Sequence, residues 1–196
     1  MGFERRRAIY QAFVMADSAH GEKVHGWCVV LAAKRVLLLL ENVTFPRAEW
    51  RPLPGDWVRL AEQALSGKAD MGEVRQVAGN LHYEVGNILE VSNEQGTYTE
   101  RLSAILHTAT HCLAETAGFD LFQNTSYGYL DKAGKIVMYP PTDSFLGSRG
   151  GGDTLPAAVM AYALDSETVN LFRWLEFCEW WLCEAIPTAW ALAHSH

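Results

Sequence analysis

Apolar residues recur at helical spacing along most of the chain, and the breaks between these runs carry turn residues. Ile9, Ala12, Phe13 and Ala16 place one apolar face on a helix over residues 4–17, and Asp17-Ser18-Ala19-His20-Gly21 ends it. Residues 24–41 are apolar nearly all round except at Lys34-Arg35, which predicts a central helix. Pro46, Pro52, Pro54 and Gly55 mark a connecting loop, and Asp56 is expected to cap a third helix that runs to about Ser66 and stops at Gly67. A fourth helix over 70–91 carries Val74, Val77, Ala78, Leu81, Val85, Ile88 and Leu89 as one stripe. Gly72, Gly79 and Gly86 lie on its flank, where missing Cβ atoms would permit a close helix crossing. Thr97-Tyr98-Thr99-Glu100 reads as a capping box that opens a fifth helix, with Leu102, Ile105, Leu106, Ala109 and Leu113 facing inward and an end near Gly118.

The helical period disappears over residues 119–152. Tyr127-Gly128-Tyr129 and Ile136 to Tyr139 flank Asp131 to Gly134, a pattern that predicts a β-hairpin, and Ser148 to Asp153 reads as a glycine-rich connector. An alanine-rich helix follows at 155–164. Asp165 or Ser166 is expected to cap a last helix running to about Ala185, which Pro187 should end or kink. The pattern therefore predicts a mainly α fold: a single-domain multi-helix bundle over residues 1–196 with one small β-hairpin near 126–139.

Length and charge narrow the function classes. A chain of 196 residues with 49% hydrophobic and 20% charged residues is ordinary globular material. Its formal net charge of −7 argues against a nucleic-acid binder that works by phosphate neutralisation. Residues 1–60 sum to +3, residues 61–164 to −6 and residues 165–196 to −4, so the C-terminal part favours a cationic partner. Cys28, Cys112, Cys178 and Cys183 form no Cys-x-x-Cys pair and sit in apolar segments, as buried free thiols of a reducing cytoplasm would. Arg5-Arg6-Arg7 before an apolar stretch imitates a signal peptide, but that stretch is short and contains Gln11. Lys34-Arg35 in the middle of the longest apolar run would cost roughly 5–7 kcal/mol in a bilayer, so no membrane span is expected.

Candidate chemistry is sparse. His107 and His111 are four apart with Glu115 one turn on, a spacing that can chelate a metal, yet there is no His-Glu-x-x-His and the three lie opposite the leucine face. They are expected on a polar face turned to solvent or a partner. The 148–153 loop lacks the Gly-Lys-Ser/Thr of a phosphate loop, and no Gly-x-Ser-x-Gly elbow is present. The reading is a protein with no catalytic residue, no metal and no cofactor. Trp174, Trp180, Trp181 and Trp190 crowd the last helix with Phe172, Leu175, Phe177 and Leu182. Core packing accounts for most of these; one or two that reach the surface beside acids would anchor a partner.

The string Trp180-Trp181-Leu182-Cys183-Glu184-Ala185-Ile186-Pro187-Thr188-Ala189-Trp190 resembles the closing motif of a helical immunity-protein family of bacterial polymorphic toxin systems. The alanine-rich helix at 155–164, the short acidic turn and Arg173 before the aromatics fit the same pattern, and Arg7-Ala8 is a fainter echo. The likeness covers the C-terminal stretch and elsewhere only the helix order. It implies a cytoplasmic, non-enzymatic protein that neutralises a cognate toxin domain by direct binding, and it carries over no functional residue. The binding candidates come from the residues themselves: Glu176, Glu179, Glu184 and Trp180 first, then His107, His111 and Glu115. The acids could instead pair with Arg5, Arg6 or Arg7 inside the fold. The alternatives are a small helical enzyme or ligand-binding protein with a pocket beside the 126–152 loop, and a homodimer joined through a symmetric apolar face.

Overall fold

The computed structural model describes residues 3–118, 128–130, 136–138, 154–165 and 168–195. Among these, helices α1 (Phe3–Ala16), α2 (Gly21–Leu37), α3 (Leu53–Leu65), α4 (Met71–Glu94) and α5 (Glu100–Thr116) precede strands β1 (Gly128–Leu130) and β2 (Ile136–Met138). Helix α6 (Thr154–Ala163) follows, then the two-residue strands β3 (Leu164–Asp165) and β4 (Thr168–Val169). Helices α7 (Leu171–Trp180) and α8 (Ile186–Ser195) are joined by a π-helical turn, Trp181–Ala185. The fold is mainly α, as the apolar period predicts. The predicted hairpin is present as the antiparallel pair β1–β2, with Tyr129 opposite Val137. The side chains of Arg5, Arg6 and Arg7, the Ser148–Asp153 connector, the pocket predicted beside it and Ser166 lie outside the described residues.

Several helix ends form where local chemistry places them. Asp70 caps α4 by accepting a hydrogen bond from Glu73 N at 3.0 Å. Gly67 and Gly118 close α3 and α5 in the left-handed region, at φ +68° and +73°. Other ends differ from expectation. Helix α3 starts at Leu53, because Pro54 supplies a preset φ and has no N–H to lose in the first turn; Asp56 sits inside that turn and pairs with Arg59 at 2.8 Å. The α5 cap is Thr99, whose hydroxyl accepts from Leu102 N at 3.0 Å, while Thr97 donates back to Ser92 O. The α7 cap is Asn170, not Asp165 or Ser166; the β3–β4 pairing holds Leu164 opposite Val169 and delays the helix. Among the described residues no helix crosses closely at Gly79 or Gly86, where a Cβ would meet nothing within 4 Å.

Helix α5 is the axis of the core. It packs against α2, α3, α4 and α6, and Leu102 through Leu113 are buried apart from Ser103 and His107. Helix α2 is the second axis, lying against α1, α3, α5, α6, the π turn and α8. Its two mid-helix charges stay at the margin with partners: Lys34 Nζ meets Glu62 of α3 at 2.6 Å, and Arg35 is held by α6 and α7. No described helix is long and apolar enough to cross a membrane.

Candidate partner-binding face

The segment from α7 to α8 buries every fourth residue: Phe177, Trp181, Ala185, Ala189 and Ala193. At 3.6 residues per turn such a repeat drifts about 40° per step, and one wide turn returns part of that drift. The wide turn sits where proline requires an adjustment. Pro187 has no N–H for the carbonyl of Cys183, and Ile186 N–H bonds Trp181 O, five residues back. Of the two outcomes expected at Pro187, an end or a kink, the end does not occur: the π turn takes up the missing N–H and the helix continues to Ser195. Full burial of Phe177 or Trp181 contributes roughly 1.5–3 kcal/mol each, which anchors the segment.

What the segment leaves outside is equally ordered. Leu171 (69%), Phe172 (86%), Leu175 and Leu182 are exposed, and so are Arg173, Glu179, Cys183 and Glu184. A cluster of large apolar side chains on one helix face is expensive to leave in water and marks an interaction site when contiguous. Glu179 and Glu184 have no ion-pair partner among the described residues. Cys183 is exposed too, against the expectation of four buried thiols, because the π turn carries Leu182, Cys183 and Glu184 outward together. Cys28 and Cys112 are buried, and burial pushes the Cys28 thiol up to about 12.

Trp180 and Glu176 have internal tasks. The Arg35 guanidinium lies 4.5 Å from the Trp180 ring centre and 5.0 Å from that of Tyr162, between two aromatic faces. Glu176 accepts the Tyr162 hydroxyl proton at 2.6 Å and Arg35 at 3.5 Å. Burial, then the Glu176 hydrogen bond, raises the Tyr162 pKa. Glu176 thus pairs within the fold, with Arg35. The sequence carried a hint of this, since a charge in the middle of an apolar helix must find a partner.

His107, His111 and Glu115 do not form an outward face. His111 is 8% exposed, and His107 and Glu115 are half-buried. The reason is that α5 packs against α2, α3, α4 and α6, and several of its polar side chains bond within the helix or to α6. Thr108 and Thr110 donate to the carbonyls of Ala104 and Leu106, and His107 Nδ1 bonds Ser103 O at 2.8 Å. Burial lowers the His107 pKa. Glu115 Oε1 accepts both the N–H and the hydroxyl of Thr154 at 2.6 Å, pinning the start of α6, while Oε2 lies 3.3 Å from His25 Nε2. The three are not gathered around a common point.

A different group is gathered. Asp17, at the corner between α1 and α2, lies with His20 and with His194 of α8, 177 positions away in sequence. Asp17 Oδ1 accepts the N–H groups of Ala19 and His20, and Oδ2 lies 2.9 Å from both His20 Nδ1 and His194 Nε2. Hydrogen bonds from His194 and then His20 hold the Asp17 carboxyl down at about 2. The Trp190 carbonyl and then Asp17 raise the His194 pKa. No local spacing could reveal this group. Comparison with family models, with curated proteins and with solved structures finds no match to the chain.

Proposed function

We propose that this protein is an immunity protein: it binds a cognate toxin domain directly in the cytoplasm and performs no chemistry of its own. The observation that carries the reading is the exposed face of α7 and the π turn, where Leu171, Phe172, Leu175 and Leu182 share the segment with the exposed acids Glu179 and Glu184, which have no ion-pair partner among the described residues. Apolar anchors hold a complex, and the acids around them select a cationic partner and speed its approach. The resemblance of residues 180–190 to an immunity-protein motif falls on the same segment. Four earlier candidates drop in rank. Glu176 is committed to Arg35 and Tyr162, and the half-buried His107 and Glu115 with buried His111 offer little surface to a partner.

The test is protection of growth. The product of the gene immediately upstream is expressed in a bacterium with this protein or with its Phe172→Ser/Glu179→Lys variant. The native chain is expected to restore growth and the variant, folded by circular dichroism, to fail. A neighbouring product without toxicity, or equal protection by the variant, overturns the reading. A concentration-dependent dimer abolished by Phe172→Ser would assign the stripe to a second copy of the chain.

A further inference from the structure

We propose that Asp17, His20 and His194 form a divalent-metal site of the zinc type that ties the α1–α2 corner to α8. One ligand atom from each of Asp17, His20 and His194 lies within 4.8 Å of the other two, and Asp17 Oδ2 stands 2.9 Å from both His20 Nδ1 and His194 Nε2. Zinc bound to two imidazoles and a carboxylate has metal–ligand distances of about 2.0–2.2 Å, which sets neighbouring ligands about 3.3 Å apart. The two nitrogens stand 2.9 Å from Oδ2, so the side chains need only a small outward shift. The donor set of two nitrogens and one oxygen suits zinc, cobalt or nickel over calcium or magnesium.

Two of the three ligands are oriented from behind. His194 Nδ1 bonds the Trp190 carbonyl at 2.7 Å, and the His194 ring stacks on the Trp190 ring at 5.3 Å. With Nδ1–H given to that carbonyl, Nε2 presents its lone pair to Oδ2, the arrangement by which backbone carbonyls orient metal-binding histidines. Two lone pairs at 2.9 Å are held together by a positive species between them, a proton or a metal ion. Asp17 is fixed through Oδ1 by two backbone N–H groups, which leaves Oδ2 for the cation. Gly21 keeps the corner tight, because a Cβ there would fall 2.5 Å from Val14 Cα. The side chains are 24%, 42% and 37% exposed for Asp17, His20 and His194, so an ion can enter and a water can complete the coordination.

The chain is prepared without a histidine tag, stripped with chelator and titrated with zinc chloride by calorimetry. One equivalent is expected to bind and to raise the melting temperature. Asp17→Asn and His194→Gln should each weaken binding by at least about tenfold and remove the thermal shift. His107→Gln and Cys183→Ser should bind as the native chain does. Cobalt in place of zinc should give tetrahedral d–d absorption without a sulfur charge-transfer band. Absence of zinc binding by the native chain makes the cluster a proton-held clamp only and overturns the proposal. Equal binding by the folded Asp17→Asn/His194→Gln double variant overturns it as well.

Discussion

Helices α5 and α7 invert one another. The first carries histidines, threonines and two glutamates, yet 11 of its 17 residues are buried. The second carries two leucines and two phenylalanines, yet all but Phe177 stand in water. The difference is one of hydrogen-bond supply. A threonine that bonds its own helix carbonyl four residues back, or a glutamate that takes two donors from the next helix, is buried at little net cost. Phe172 has no such compensation: a phenyl ring makes no hydrogen bond of this kind, and among the described residues it stays 86% exposed.

The largest effect separates the two helices directly. Leu106→Ala in α5 should lower unfolding free energy by about 2–5 kcal/mol in urea titration, because it leaves a cavity among fully buried neighbours. Leu175→Ala in α7 should change it by less than about 0.5 kcal/mol. Similar values would place α7 in the core after all. Next in size, Glu115→Ala should cost about 2 kcal/mol, since Thr154 loses the acceptor of both its bonds. Glu179→Ala, measured in parallel, should be neutral. Arg35→Lys should cost about 1 kcal/mol, because an ammonium cannot lie flat between the rings of Tyr162 and Trp180 while meeting Glu176.

The buried polar side of α5 also has a pH signature. The folded pKa of His107 is lowered, chiefly by burial, so the unfolded chain binds its proton more readily. Its contribution is fully present above the ordinary value of 6.5 and is lost as pH falls through the depressed folded value. His107→Gln should flatten stability against pH in that window; an unchanged slope would mean that the ring is solvated. The smallest effect leaves stability untouched. A thiol reagent should modify Cys183 rapidly and leave Cys28 and Cys112 unmodified until the chain is unfolded.

Much of this architecture is legible residue by residue. Gly67 and Gly118 mark true helix ends and the stripe from Val74 to Ile88 a true buried face, while Asp70, read as the first residue of the fourth helix, is its cap. The inward turn of α5 is not legible, because a histidine bonded to a carbonyl in its own helix is written the same way as a solvated one. The Asn170 cap was hidden behind Asp165, which offers the same chemistry five residues earlier but is taken up in β3. Asp17 and His194 meet only through the packing of whole helices. The face of α7 was half legible: its aromatic crowding is plain, but which residues stay outside depends on the π turn at 181–185.

The lodging of α8 against α2 has a consequence for how the chain is made. Synthesis runs at about 5–20 residues per second, so α2 is translated roughly 8–30 s before the stretch of peptide that will cover it. For that interval one apolar side of the central helix has no cover from its own chain, and late synthesis becomes the moment of greatest exposure to chaperones and to aggregation. Nascent chains arrested before Ile186 should be cleaved by protease within residues 21–37, and completed chains should not. Equal resistance would mean that α2 is sheltered by its earlier neighbours alone.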